Sequence, residues 1–218
     1  RQVLVTDIDR DRDLDLIVLN KDAPNDVFVN DRLWRYRAAE GFDEFRSRRI
    51  MSIVAGDEDV DGVPELITRD PDGVLHRWTP GDSGRWNPIV MDQPESGIEQ
   101  DSVRPQLAML DVTGSGEKSL ISTCAQGLVD GGQVLKSPQL LNWIPVNLHV
   151  EKGPSIVLLE SGPEGRVELV EIPPGDGRYP FLGVSFTGQE DPGQSMRSNA
   201  SGIGTQYSAR RCSNWSSG

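Results

Sequence analysis

Two nonapeptides carry carboxylates at a spacing that suits oxygen ligation of a metal ion. Asp7, Asp9, Asp11, Asp13 and Asp15 occupy every second residue of the first. Asp57, Glu58, Asp59, Asp61 and Glu65 crowd the second. Two arginines, Arg10 and Arg12, offset part of the charge in the first, and none does so in the second. Calcium takes six to eight oxygens at roughly 2.3–2.6 Å, from carboxylates and backbone carbonyls of one tight loop. Positions 1, 3, 5 and 9 of such a turn can converge on one ion with the carbonyl of position 7. In the first stretch these are Asp7, Asp9, Asp11 and Asp15 with the Asp13 carbonyl; in the second, Asp57, Asp59, Asp61 and Glu65 with the Val63 carbonyl. A divalent cation would turn their mutual repulsion into attraction.

Competing explanations are weaker. An EF-hand needs a bidentate Glu at position 12, where this chain has Val18 or Thr68, and its loop joins helices, whereas these flanks are β-branched. A surface turn rich in aspartate is the plain alternative, because Asp favours turns with or without a metal. Two copies in register, each between apolar runs, favour the cation.

The elements that must position these loops are strands. Each copy follows a short apolar stretch (Val3-Leu4-Val5; Ile53-Val54-Ala55) and leads into another (Leu16 to Leu19; Leu66-Ile67). A third, degraded copy starts at Asp111, with Thr113, Ser115 and Ser119 where the others have carboxylates, so weak or no calcium binding is expected there. The first aspartates lie 50 and then 54 residues apart. Downstream, Leu33-Trp34-Arg35-Tyr36 with Gly41-Phe42 corresponds to Leu75-His76-Arg77-Trp78 with Gly84-Arg85-Trp86. A period near 50 with about four short strands per unit is the pattern of propeller blades, and no helical periodicity competes with it. Gly62 and Gly116 hold position 6 of their loops; Arg12 in that slot is a departure, strained if the turn needs positive φ there.

Composition sets outer limits. The 218 residues include 23 Gly and 15 Pro, and no apolar run approaches the roughly 18 residues that span a bilayer. The formal net charge is −12, of which −8 sits in the two nonapeptides, so the acidity is local. Nucleic acid is excluded as a partner, since phosphate binding needs clustered Lys and Arg. Cys124 and Cys212 are too few for a disulfide framework, and whether they pair stays open. The chain begins almost inside a strand and is expected to belong to a longer protein.

The acidic loops resemble a known family. The pattern D-x-D-x-D-G-x-x-[DE]-L, with a glycine and an aromatic downstream, is similar to the FG-GAP/VCBS repeat of integrin-α-type β-propellers. Residues 1–135 then read as three blades and 136–178 as a further blade or linker. The resemblance implies calcium at the loop positions already named, and the integrin-type ring of seven blades would need more chain than this. Residues 179–218 resemble the start of an ASPIC/UnbV domain, through Tyr179-Pro180-Phe181-Leu182-Gly183-Val184-Ser185-Phe186 and Asn199-Ala200-Ser201-Gly202-Ile203-Gly204-Thr205. That domain follows VCBS repeats in secreted proteins, including the cartilage acidic protein group.

The remaining motifs carry little. Gly202-Ile203-Gly204 lacks a third glycine and a surrounding βαβ unit, which excludes a dinucleotide loop. His76 and His149 share no metal-ligand spacing, and Ser122, Ser155 and Ser201 lack a nucleophile-elbow context. Trp34, Trp78, Trp86 and Trp143 read as core between repeats in preference to a sugar-stacking platform. The expectation is therefore an all-β, partial β-propeller, calcium-binding and non-catalytic. It would serve as an extracellular or periplasmic binding or adhesion module for a protein or glycan ligand. The alternative is the propeller portion of a secreted lyase or hydrolase acting on polysaccharide.

Overall fold

The computed structural model describes residues 2–11, 13–31, 35–59, 63–81, 84–91, 106–112, 118–124, 127–130, 133–137, 139–149 and 153–174. Within them the chain is built from four antiparallel sheets, each formed by consecutive strands. The first holds β1 (Gln2–Thr6), β2 (Asp15–Leu19), β3 (Asp26–Asn30) and β4 (Tyr36–Ala38), and is followed by a five-residue helix, α1 (Asp43–Ser47). The second holds β5 (Ser52–Gly56), β6 (Glu65–Arg69), β7 (Leu75–Pro80) and β8 (Trp86–Val90). The third holds β9 (Leu107–Leu110), β10 (Ser119–Cys124), β11 (Gly127–Asp130) and β12 (Gln133–Lys136). The fourth has three strands, β13 (Leu140–His149), β14 (Gly153–Ser161) and β15 (Val167–Ile172).

Side-chain alternation explains how the sheets meet. Successive strand residues point to opposite faces, so Ile17 and Leu19 of β2 turn to one side and Leu16 and Val18 to the other. The buried side of the first sheet (Ile17, Leu19, Val27, Val29) shares a core with Ile53, Leu66, Trp78 and Trp86 of the second. The opposite side of the second sheet, with Ile67 and Leu75, packs on Leu107, Met109 and Leu120 of the third. The third sheet's other side gives Ile121 and Leu128 to a core with Trp143, Ile156 and Leu158 of the fourth. The four sheets thus form a row in which each inner sheet buries both faces.

Three details tie the row together. The Gln2 side-chain amide donates to the Ile53 carbonyl (2.8 Å) and accepts from the Ile53 N–H (3.0 Å), so a side chain of β1 satisfies the backbone of β5. At Gly56 an added Cβ would come within 2.7 Å of Met109 Cγ, and only a bare backbone admits that side chain. From α1, Phe45 packs edge-on against Trp78 at 5.2 Å between ring centroids, while the preceding Phe42 stacks on Trp86 at 5.0 Å. The three described tryptophans Trp78, Trp86 and Trp143 are all buried as core; Trp34 falls outside the described residues.

The all-β expectation holds, and the propeller expectation does not. The sheets are open and do not close into a ring. The physical reason lies at the two ends of the row. Val3 and Val5 on the outer face of the first sheet, and Ile144, Val167 and Leu169 on the outer face of the fourth, are exposed, whereas closure would bury them. The reading of residues 1–135 as FG-GAP/VCBS blades is corrected with it, and nothing in the architecture indicates that repeat. The segment read as the start of an ASPIC/UnbV domain lies outside the described residues.

No described helix is long and apolar enough to cross a membrane.

Candidate functional site

Both acidic stretches become the loop of a hairpin between the first two strands of a sheet. The register places Thr6 opposite Asp15 in the first hairpin and Gly56 opposite Glu65 in the second. Leu110 opposite Ser119 repeats it in the third. Position 9 of each nonapeptide is therefore the first residue of the returning strand, and positions 1 to 8 form the loop.

The closures gather the same three positions. Carboxylate oxygens of Asp7, Asp9 and Asp15 all lie within 4.8 Å of one another, as do those of Asp57, Asp59 and Glu65. One carboxylate oxygen of Asp7 and the equivalent one of Asp57, Oδ1 in both, are shielded from solvent. The position-9 carboxylate is also buried in each, and it accepts from the backbone N–H of position 2. Ile8 donates to Asp15 Oδ2 at 2.8 Å, and Glu58 to Glu65 Oε2 at 2.9 Å. Asp15 Oδ1 additionally accepts from the Asn30 N–H of β3 at 2.9 Å.

The other expected ligands are less completely placed. The Asp11 carboxylate lies in the first loop but outside the three-residue cluster, and Asp13, whose carbonyl was the expected ligand, follows it in the same loop. Asp11 Oδ1 accepts from the Asp13 N–H at 2.9 Å, and Asp9 Oδ1 from the Asp11 N–H at 3.2 Å, two turns made by aspartate on its own loop. Asp61 lies outside the described residues, and Val63 sits just before β6. Among the described residues of the first loop, Arg10 is left-handed, with φ of 63°; Arg12, where strain was expected, is outside the described residues.

Electrostatics follow from the crowding. Burial, and then the neighbouring aspartates, push the Asp9 and Asp15 carboxyls above the usual carboxylate range, while backbone N–H groups pull against this. Glu65 is raised in the same way, by burial first and by Asp59 and Asp57 after it. Two unit charges about 5 Å apart repel by roughly 3 kcal/mol at an effective dielectric near 20. Three carboxylates so placed suit a hard cation that prefers oxygen.

Sequence spacing missed the partners supplied from β3 and β7. Arg77 of β7 donates to Glu58 Oε2 (3.0 Å) and Asp59 Oδ2 (3.2 Å), so the second cluster carries a guanidinium at its side. Pairing registers make the first-sheet counterpart of Arg77 a valine, Val27, and the counterpart of Asn30 a proline, Pro80. The 50-residue offset contains that information once strand pairing is known.

His76 is engaged elsewhere. Its Nε2 accepts from Arg48 Nη1 at 3.1 Å, the Arg48 guanidinium lies 5.6 Å from the Trp78 ring centroid, and Glu44 pairs with Arg48 at 2.7 Å. Burial, and then the Arg48 charge, hold the imidazole below its ordinary pKa.

No protein-family model, and hence no calcium-binding family motif, matches the chain, and no curated protein matches it. The expected FG-GAP/VCBS assignment is corrected on this ground as well. The adhesion module built on a propeller, and the alternative lyase or hydrolase portion of one, fall with the architecture on which both depended.

Proposed function

We propose that the two acidic hairpins each hold one oxygen-ligated divalent cation of the calcium type, and that the cation is structural. The supporting observation is the convergence of Asp7, Asp9 and Asp15, and separately of Asp57, Asp59 and Glu65, at identical loop positions and identical hairpin register. An ion there would pin the first strand of a sheet to the second and neutralise carboxylates that burial otherwise penalises. Asp11 with the Asp13 carbonyl, and Asp61 with the Val63 carbonyl, would complete the coordination from the same loops.

In this reading the protein performs no chemistry of its own at these loops. A catalytic metal needs an open position with a general base beside it, whereas His76, between Arg48 and Val74, is committed to packing.

The test is calorimetric titration of calcium into chelator-treated protein, paired with thermal melts. Two ions should bind, and excess chelator should lower the melting temperature, because a ligand held 100-fold above its Kd stabilises by about 2.7 kcal/mol per site. Asp57→Ala should remove one ion and leave the other. An unchanged melting temperature with no binding heat would sink the proposal.

A further inference from the structure

The short helix α1 bridges the first and second sheets, and its two polar attachments differ in kind. Toward the first sheet it is held by buried Asn25, whose side-chain amide donates to the Phe45 carbonyl (3.1 Å) and the Arg48 carbonyl (2.9 Å). Neither an amide nor a carbonyl changes charge with pH. Toward the second sheet, Phe45 packs on Trp78, and Arg48, the residue that closes α1, reaches His76 of β7. His76 is only 5% exposed. One of the two attachments is therefore titratable.

The chemistry of the Arg48–His76 contact fixes its protonation state. A guanidinium can only donate, so at 3.1 Å from Arg48 Nη1 the His76 Nε2 is the acceptor. The ring is then neutral, with its proton on Nδ1 toward the Val74 carbonyl. A second proton, on Nε2, would set donor against donor and charge against charge. Around the ring, α1 presents Arg48 and Glu44, and the turn after β6 presents Asp70; the strand neighbours Thr68 and Val90 carry no charge. The two carboxylates favour a charged ring, but burial and Arg48 oppose it and prevail. Asp70 is also engaged, accepting from the Val74 N–H at 2.8 Å. The group with room to move is Arg48, whose side chain is 36% exposed and already pairs with Glu44 at 2.7 Å.

We propose that His76 is a proton-operated latch between α1 and the second sheet. Its neutral ring holds the Arg48 guanidinium beside Trp78, 5.6 Å from the ring centroid. Protonation turns Arg48 out toward Glu44 and loosens the end of α1 from the second sheet, while Asn25 keeps it on the first. Phe45 stays in the core, so the helix loosens without unfolding. The latch is closed at neutral pH and opens as pH falls through the folded pKa of His76, which lies below the ordinary 6.5.

The latch is independent of cation binding and is tested by NMR on the full chain in chelator, from neutral pH into the acid range. Imidazole nitrogen shifts report the tautomer and titration of His76, and amide exchange at Arg48, corrected for its intrinsic rate, reports the end of α1. The expected result is the Nδ1–H tautomer, a titration below pH 6.5, and Arg48 exchange that rises about tenfold with the same midpoint, the size of one lost hydrogen bond to a charged group. His76→Gln offers an acceptor at every pH, so its Arg48 exchange should stay at the closed value. Arg48→Met should raise the midpoint of the His76 titration. The latch is overturned by an Nε2–H tautomer, by a titration at or above pH 6.5, by an Arg48 amide that ignores the titration, by the wild-type exchange profile persisting in His76→Gln, or by a midpoint that Arg48→Met leaves in place.

Discussion

The first and second acidic hairpins gather their carboxylates at the same three positions, yet different groups face them from the third strand. In the first sheet β3 supplies the Asn30 N–H to Asp15, and Val27 stands where a cation could have been. In the second, Pro80 has no N–H to give, and Arg77 delivers a guanidinium to Glu58 and Asp59. The first cluster is fixed by neutral backbone dipoles, and the second carries part of its own countercharge. Similar acidic loops are thus tuned by residues roughly 15 to 20 positions downstream, which is the reach of a hairpin partner.

The largest expected consequence is in the cation-free fold. Asp15→Ala should destabilise chelator-treated protein by about 1–3 kcal/mol more than Glu65→Ala, since it also leaves the buried Asn30 N–H without its acceptor. Urea unfolding of the two variants measures the difference, and equal losses would break the comparison at its root.

Arg77→Met should raise cation affinity at the second site and leave the first unchanged. A partly exposed ion pair is worth up to about 1 kcal/mol, which corresponds to roughly fivefold in Kd. Titration calorimetry resolves this, and weakened binding would mean that Arg77 orients Asp59 for the ion and does not compete with it.

A smaller difference concerns pH. The register places buried His76 of β7 where β3 has exposed Asp26. The imidazole's folded pKa lies below its ordinary 6.5, so the unfolded chain binds the proton more readily. The neutral ring therefore contributes fully above about pH 6.5. That contribution is lost as pH falls through the depressed folded value, where a charged ring would face Arg48. His76→Gln should flatten this part of the stability curve, and an unaltered curve would assign the pH dependence to other groups.

The smallest effect is expected at the third hairpin. Asp111→Ala should leave the number of bound cations unchanged, because Ser119 occupies the strand position held by Asp15 and Glu65. Loss of an ion would add a third site to the comparison.

Much of the candidate site was legible because it is local. Five aspartates on alternate residues, followed by a β-branched run, state both a loop and its hairpin, and position 9 is the carboxylate that the returning strand must carry. Arg77 and the Asn30 N–H were not legible, because strand pairing brings them in across 15 or more residues. The repeat period was also legible, and it led to the wrong architecture. A period of 50 with four strands describes one sheet and its link to the next, but it does not say whether a row of sheets closes.

The all-β class, the strand–acidic loop–strand unit and the positions of the clustered charge are written locally in the chain, since they depend on alternation and on residues within one hairpin. Which carboxylates converge, which hairpin receives a guanidinium, and that the row stays open emerge only once the sheets are packed. Those outcomes depend on register and on how apolar faces pack on one another. They are set by side chains far apart in the chain, whose contacts no local pattern encodes.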